Sequence, residues 1–550
     1  MKKIIFTAAC CMIFSATLFA QAKTGIIDKT GIDLKLFNAH QDYLRGDFAE
    51  ALKKYKDCNT AKPNDASILF HLGQCYLSLN DVDNAISFLE KSESVDPNGG
   101  DDLHLNLGQA YLQTDQVDKA LKELQMYKQK YADDAKKIKE SEVDYYIGQC
   151  NSATELKAHP VKVTITNLGV AINSEYDDKT PLLSDDGKTM IFTSRRPSMS
   201  TKTKKGSDDD GDVVQQSFDN IYFSDWDSAT HKWGLSYMMQ GDINEPYAWN
   251  AATGISADGM LLFMFRNNNT DAEGGDIFVA KKSHSGSWNN PQTLGHPVNT
   301  SYYEDGASPS PDGSCIYFMS EKPGGYGQAD IYKSDKIGKG EWGDPVNLGP
   351  AVNTPYDDGA PCLGPDGKTL FFSSQGHNSM GGYDIFKSVM TDSGKWGKAV
   401  NLGYPINTVA NDMSFTITVD AKTGYFASDR KGGQGGRDIY MVDLSQYPLL
   451  AADSANAKPT GLSVLRGKVT NSKGKGIEGA KVTVTDSTGT KIGNLQTDAD
   501  GKYYITLKGN ANYKVKAGAA NYKTQTQAIH LPESMVGTYS MQQDFQLEKN

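Results

Sequence analysis

Four short stretches of this 550-residue chain stand 54 residues apart: "DIFV" from Asp276, "DIYK" from Asp330, "DIFK" from Asp384 and "DIYM" from Asp438. Trp288, Trp342 and Trp396 keep the same step, with Trp233 one residue off it, and Asn299, Asn353 and Asn407 keep it too. An Asp-Gly turn recurs at Asp186-Gly187, Asp258-Gly259, Asp312-Gly313 and Asp366-Gly367, and degenerates to "AKTG" from Ala421. Around these marks run short strands rich in Thr, Ile, Tyr and Phe. A unit of ~50 residues with four short strands reads as one blade of a propeller. With "NIYF" from Asn220 as the earliest copy the count is five, which predicts a five-bladed β-propeller over residues 161–448.

The ends of this region say how the ring closes. The fifth copy lacks the strand that ends in Asn-Leu-Gly, while "VKVTITNLG" (Val161–Gly169) has that ending and no blade of its own. The expectation is that this strand completes blade five and removes an open sheet edge. The repeat resembles the TolB-like, WD-type propellers of bacterial envelope proteins. Blade one carries an insertion, 196–217, whose acidic run Asp208–Asp212 lacks the sixth-position Gly and later Glu of a calcium loop, so it reads as a solvated loop.

Before the propeller a second period appears. Asp47 and Asp81, Ala51 and Ala85, and Pro63 and Pro97 are each 34 residues apart, and Gly73/Gly108 and Tyr76/Tyr111 follow at 35. Small residues let paired helices approach closely, and the prolines end each second helix. The pattern resembles the tetratricopeptide repeat and predicts an all-α solenoid over 33–157, about three repeats closed by a helix at Val143–Ala153. Such stacks offer concave surfaces to peptides and partner proteins.

After a polar linker, 453–461, residues 462–548 alternate apolar and polar positions. Val482 and Val484, then Tyr503, Ile505 and Leu507, fall on one side at period two, and Asp500-Gly501 marks a hairpin tip. This predicts a small β-sandwich and resembles the carboxypeptidase regulatory-like, or transthyretin-like, family, which implies a non-catalytic accessory module.

The chain opens with a basic pair, Lys2 and Lys3, an apolar run from Ile4 to Phe19, and Ala20. That pattern is a secretory leader, residues 1–20, and predicts a periplasmic protein with no spanning segment in the mature chain. Cys10 follows an apolar run of six residues, so a lipid anchor is the lesser alternative. The formal charge of −11 argues against nucleic acid as a partner. Cys58, Cys75, Cys150, Cys315 and Cys362 show no zinc spacing and read as buried thiols; neither metal nor cofactor is expected.

Two acidic columns bear on chemistry. Asp276, Asp330, Asp384 and Asp438 recur blade after blade, whereas a catalytic acid is needed once; they read as turn and backbone partners, bonded by Ser320, Ser374 and Ser428. With Tyr176, Tyr247, Tyr302 and Tyr356 aligned, Asp178, Trp249, Glu304, Asp358 and Asp412 share a second register. Asp178, Glu304, Asp358 and Asp412 are therefore expected to ring one mouth of the channel, where they would attract a cation or a basic segment. His377 has no counterpart in other blades and reads as an exposed loop residue.

The domain order as a whole resembles PorE-type periplasmic proteins of Bacteroidetes associated with type IX secretion and the outer membrane. That family ends in an OmpA-type domain not found before Asn550, so peptidoglycan anchoring is not carried over. The resemblance implies a non-enzymatic scaffold that binds envelope proteins or peptides through the helical groove and the propeller face. The alternative is a glycan-binding protein or glycoside hydrolase working at the channel mouth.

Overall fold

The computed structural model describes residues 31–184, 187–197, 218–267, 274–283, 286–338, 340–450, 462–509, 511–532 and 539–550. The leader with Cys10 and Cys11, Asp186, residues 198–217 of the insertion with its acidic run, and the linker 453–461 lie outside the described residues. The chain divides into two compact units, 1–158 and 159–550.

The first unit is helical: α1 (Gly31–Leu44), α2 (Phe48–Ala61), α3 (Ala66–Ser78), α4 (Val82–Val95), α5 (Leu103–Gln113), α6 (Val117–Lys130), α7 (Ala135–Glu140) and α8 (Val143–Ala158). α1 packs on α2, α3 on α4 and α5 on α6, and each pair stacks on the next. The small residues do what their spacing implies. A Cβ on Gly73 would lie 2.5 Å from Leu89 Cγ, and one on Gly108 would lie 2.6 Å from Leu124 Cγ. Pro63 and Pro97 follow the ends of α2 and α4, and α8 packs on α6 as the closing helix.

The second unit opens with five antiparallel sheets. Their inner strands are Asp178–Leu183, Trp249–Ile255, Glu304–Pro309, Asp358–Leu363 and Asp412–Ile417. Each inner strand touches that of the next sheet, and the fifth touches the first. Backbone bonds repeat this cycle: the amides of Asn250, Glu304, Asp358 and Asp412 donate to Asp219, Gly275, Ala329 and Tyr383 of the preceding sheet, and Asp178 donates to Arg437 of the fifth. The fifth sheet takes its outer strand from the start of the unit, with Thr164–Asn167 paired antiparallel to residues 440–443. The tryptophans fill gaps between neighbours. Trp396 meets Tyr317 at 5.8 Å, and Trp233 meets Tyr425 of the fifth sheet at 6.3 Å.

The degenerate fifth turn is complete in shape. Gly187, Gly259, Gly313 and Gly367 have φ between +65° and +67°, and Ala421 stands in their place at +56°. Asp420 accepts from the Lys422 amide as Asp366 does from Lys368. The turn residues are thus Asp420-Ala421, three residues before the Gly that the sequence motif ends on.

The C-terminal part consists of two four-stranded sheets facing one core. Val482, Val484, Tyr503, Ile505 and Leu507 are all buried in it. Asp500-Gly501 does not close a hairpin. The strands on either side, Lys491–Gln496 and Lys502–Lys508, belong to different sheets, so the turn crosses between layers.

Candidate functional site

The inner strands of all five sheets surround a cavity of about 610 Å³, lined by Lys179, Thr253, Asp305, Ala360, Ser414 and Arg437 among others. Every inner strand carries a register shift near its start. At four of these bulges the backbone turns to positive φ: Thr180 (+50°), Gly306 (+70°), Ala360 (+46°) and Ser414 (+57°). The three that are not glycine store strain of roughly 1–2 kcal/mol each where the chain faces the cavity. Hydroxyls tie the strained strands across sheets: Thr193 Oγ1 accepts from the Ala252 amide and Ser373 Oγ from Ser414.

The expected acidic ring does not line this cavity. Asp178, Glu304, Asp358 and Asp412 are each 0% exposed, while the next residues, Lys179, Asp305, Gly359 and Met413, face the cavity. The cause is strand alternation: side chains one residue apart point to opposite sides. Each acid instead ties down the loop before it, accepting from the backbone amide and hydroxyl four residues earlier, Ser174, Thr300, Thr354 and Thr408. In the second sheet the register moves by one. Asn250, not Trp249, makes the equivalent bond to the preceding sheet and is fully buried.

The sequence pattern does not reveal the partners of these acids. Arg196 Nη2 donates to Asp178 Oδ1 (2.9 Å) and to the Ile172 carbonyl, and its guanidinium lies over Phe192 and Tyr222. Arg430 repeats the arrangement with Asp412 Oδ1 (2.5 Å), the Ile406 carbonyl, Phe426 and Tyr440. Lys322 lies over Tyr332 in the third sheet, and Arg266 over Phe278 in the second. In the fourth, His377 covers the aromatic pair without bonding Asp358: Nε2 donates to the Val352 carbonyl (2.9 Å) and the ring packs on Phe372 and Phe386. Its residue surface is exposed as expected, yet it does have counterparts, namely these cations. Burial pushes Asp178, Glu304 and Asp412 above the usual carboxylate range despite those partners.

The second acidic column holds turns together. Asp330, Asp384 and Asp438 accept the backbone amides of Tyr326, Met380 and Gln434, and the side-chain amides of Asn347, Asn401 and Asn167. Asp276 opens the matching strand of the second sheet, and burial pushes its carboxyl up. Ser320 bonds the other column, donating to Glu304 Oε1 at 2.8 Å, because it sits opposite Glu304 on the inner strand as well as opposite Asp330.

A clamp of asparagines completes the set. Asn299, Asn353 and Asn407 each accept from the amide and donate to the carbonyl of one isoleucine, Ile277, Ile331 or Ile385. Asn244 does the same for Ile221, and Asn173 for Ile439 across the ring closure. These two lie off the 54-residue step, since the first two sheets differ in length.

Trp233 and Trp342 are buried and Trp288 is half-buried, as packing residues between sheets. Among the described residues one group has a metal-like arrangement: Glu93, His104 and Glu123 in the helical unit. His104 Nδ1 lies 2.7 Å from Glu123 Oε2 and 3.9 Å from Glu93 Oε1, and Lys122 stands 3.7 Å from Glu123, so the cluster is paired within itself. All five cysteines of the described residues are unpaired.

The tetratricopeptide-repeat family matches residues 43–99 and 81–139, and the carboxypeptidase regulatory-like domain matches 464–547. No curated protein matches the chain. Among solved structures, the type III secretion translocator chaperone SycD of Yersinia enterocolitica is 18% identical over 25% of this chain and 100% of its own, with a TM-score of 0.21. Hydroxyquinol 1,2-dioxygenase of Pseudomonas putida is 11% identical over 16% of this chain, with a TM-score of 0.14. Catechol 1,2-dioxygenase of Acinetobacter is 13% identical over 18%, with a TM-score of 0.15. This chain spans 57% and 55% of the lengths of those two dioxygenases.

Proposed function

We propose that the protein is a non-enzymatic scaffold of the periplasm that binds partner proteins, with the ring of five sheets acting as a five-bladed β-propeller between two interaction modules. The observation that carries this reading is the stack of three helix pairs at 31–130 that the tetratricopeptide-repeat family matches. Stacked helix pairs expose a continuous face to a partner chain and supply binding without chemistry. The carboxypeptidase regulatory-like match at the other end supports an accessory role. The leader at 1–20 supports export, and among the described residues no helix is long and apolar enough to cross a membrane.

The glycosidase reading loses its acids. Glu304 and Asp358 are buried beneath their own loops and hydrogen-bonded there, whereas hydrolysis needs two carboxyls flanking a sugar.

Immobilised full-length chain should retain a stoichiometric partner from an envelope extract, and a version without residues 31–158 should lose it. Equal retention by both would move the binding surface off the helices. Retention by neither, under mild crosslinking, would sink the scaffold.

A further inference from the structure

We propose that Asp358 is a proton-binding site that makes the fourth sheet of the ring pH-responsive. The five sheets supply their own controls. In the first and fifth, a fixed guanidinium bridges the buried aspartate and a loop carbonyl. The second sheet has a neutral group, Asn250, at this position, and Arg266 reaches past it to Glu245 and two carbonyls. In the third, Lys322 acts on Glu304, which also takes hydroxyls from Thr300 and Ser320.

The fourth sheet has an aspartate and no fixed cation. The position two residues past Ser374, where Arg196, Lys322 and Arg430 stand in their sheets, is Gly376. A Cβ there would lie 2.2 Å from Thr354 Oγ1, so no longer side chain fits this backbone. His377, at φ +51°, swings its ring onto the aromatic pair and takes the Val352 carbonyl. Asp358 Oδ2 receives the Thr354 amide and hydroxyl, while Oδ1 is buried with the Ser374 hydroxyl near it but no well-formed hydrogen bond. Asp384 and Asp438 share the bare Oδ1, but an asparagine amide and a backbone amide hold their Oδ2.

A buried carboxylate with an unmatched oxygen and no counter-cation costs far more than the neutral acid, so the group binds a proton. The titratable and charged groups around it are Asp330 of the third sheet, Asp357 and Tyr383, with Arg437 acting on the Tyr383 phenol and Lys398 on the His377 imidazole further along the loop. Asp330 pushes in the same direction as burial, while Ser374 and Thr354 push back. The balance leaves the Asp358 carboxyl raised to about 7, with burial the main cause. Desolvation of the ring against Phe372 and Phe386 holds the His377 imidazole below its ordinary value although part of the residue is exposed.

The sign follows from proton linkage. Between the ordinary carboxylate range and about 7 the folded chain holds a proton that the unfolded chain releases. This contribution to stability is therefore complete in acid, falls as pH rises through that window, and levels off above it.

The test is the thermal midpoint of the full chain at about pH 5 and about pH 8 for the wild type, Asp358→Asn and Asp412→Asn. Asp358→Asn should raise the midpoint by several degrees at the higher pH and shrink the wild-type fall between the two. Asn250 shows that an amide is accepted at this position. Asp412→Asn strands Arg430 and should lower the midpoint at both. The proposal is overturned if Asp358→Asn destabilises at the higher pH as Asp412→Asn does, or leaves the fall unchanged. Should that variant not fold, infrared titration of the wild type decides. A protonated-carboxyl band that disappears around neutrality supports the site, and no change across neutrality overturns it.

Discussion

In the helices, Gly73 lies under Leu89 and Gly108 under Leu124; in the sheets, Asn353 closes on Ile331 and Asn407 on Ile385. Both regions copy one unit along the chain, yet they join their copies by opposite means. Helix pairs have satisfied their own backbone groups, so only close apolar contact is left to gain. The short strands of the ring leave backbone groups open at every loop, and polar side chains must close them. The first kind of joint is graded and local. The second has defined partners, and one of its copies, Asn173 with Ile439, spans 266 residues to shut the ring.

The largest break in this comparison should come from Arg430→Ala. It leaves Asp412 buried and unpaired and should cost about 3–5 kcal/mol in urea unfolding followed by tryptophan emission. A loss below about 1 kcal/mol would mean that the acid simply takes a proton. Asn353→Ala strands an amide and a carbonyl at once and should cost about 2–3 kcal/mol in the same transition, leaving the helical signal of the first unit unchanged. On the helical side, Gly108→Ala pushes Leu124 aside at a cost of about 1–2 kcal/mol, read from the far-ultraviolet helix signal; an unchanged midpoint would show that the joint gives way. Smallest of all, Ala421→Gly relieves a left-handed alanine and should stabilise the ring by about 0.5–1 kcal/mol. Destabilisation there would mean that the methyl group has a packing role.

Much of the fold was legible because repetition shows through sequence. The 54-residue step located four sheets and the Asn-Leu-Gly ending at Val161–Gly169 located the strand that completes the fifth. The site was less legible. Asp178, Glu304, Asp358 and Asp412 occupy equivalent places on their strands, but a column does not say which side of a strand faces inward. A one-residue shift turned Trp249 into Asn250, and alternation turned a channel ring into a buried set. Arg196, Lys322 and Arg430 had a signal, each two residues beyond a serine of the repeat. His377 had none, since it reaches the same place from one residue further along with an unusual backbone angle.

By itself, then, the sequence determined what repeats: helix pairs joined by small residues, strands joined by Asp-Gly turns, and an alternating module at the end. Period and composition depend on local chemistry, which every copy carries within itself. Only the tertiary structure decided which carboxylates meet a cation, which oxygen of Asp358 is left without a hydrogen-bond partner, and which groups face the cavity. Those outcomes depend on strand alternation and on side chains arriving from separate parts of the chain, and so they exist only once the ring has closed.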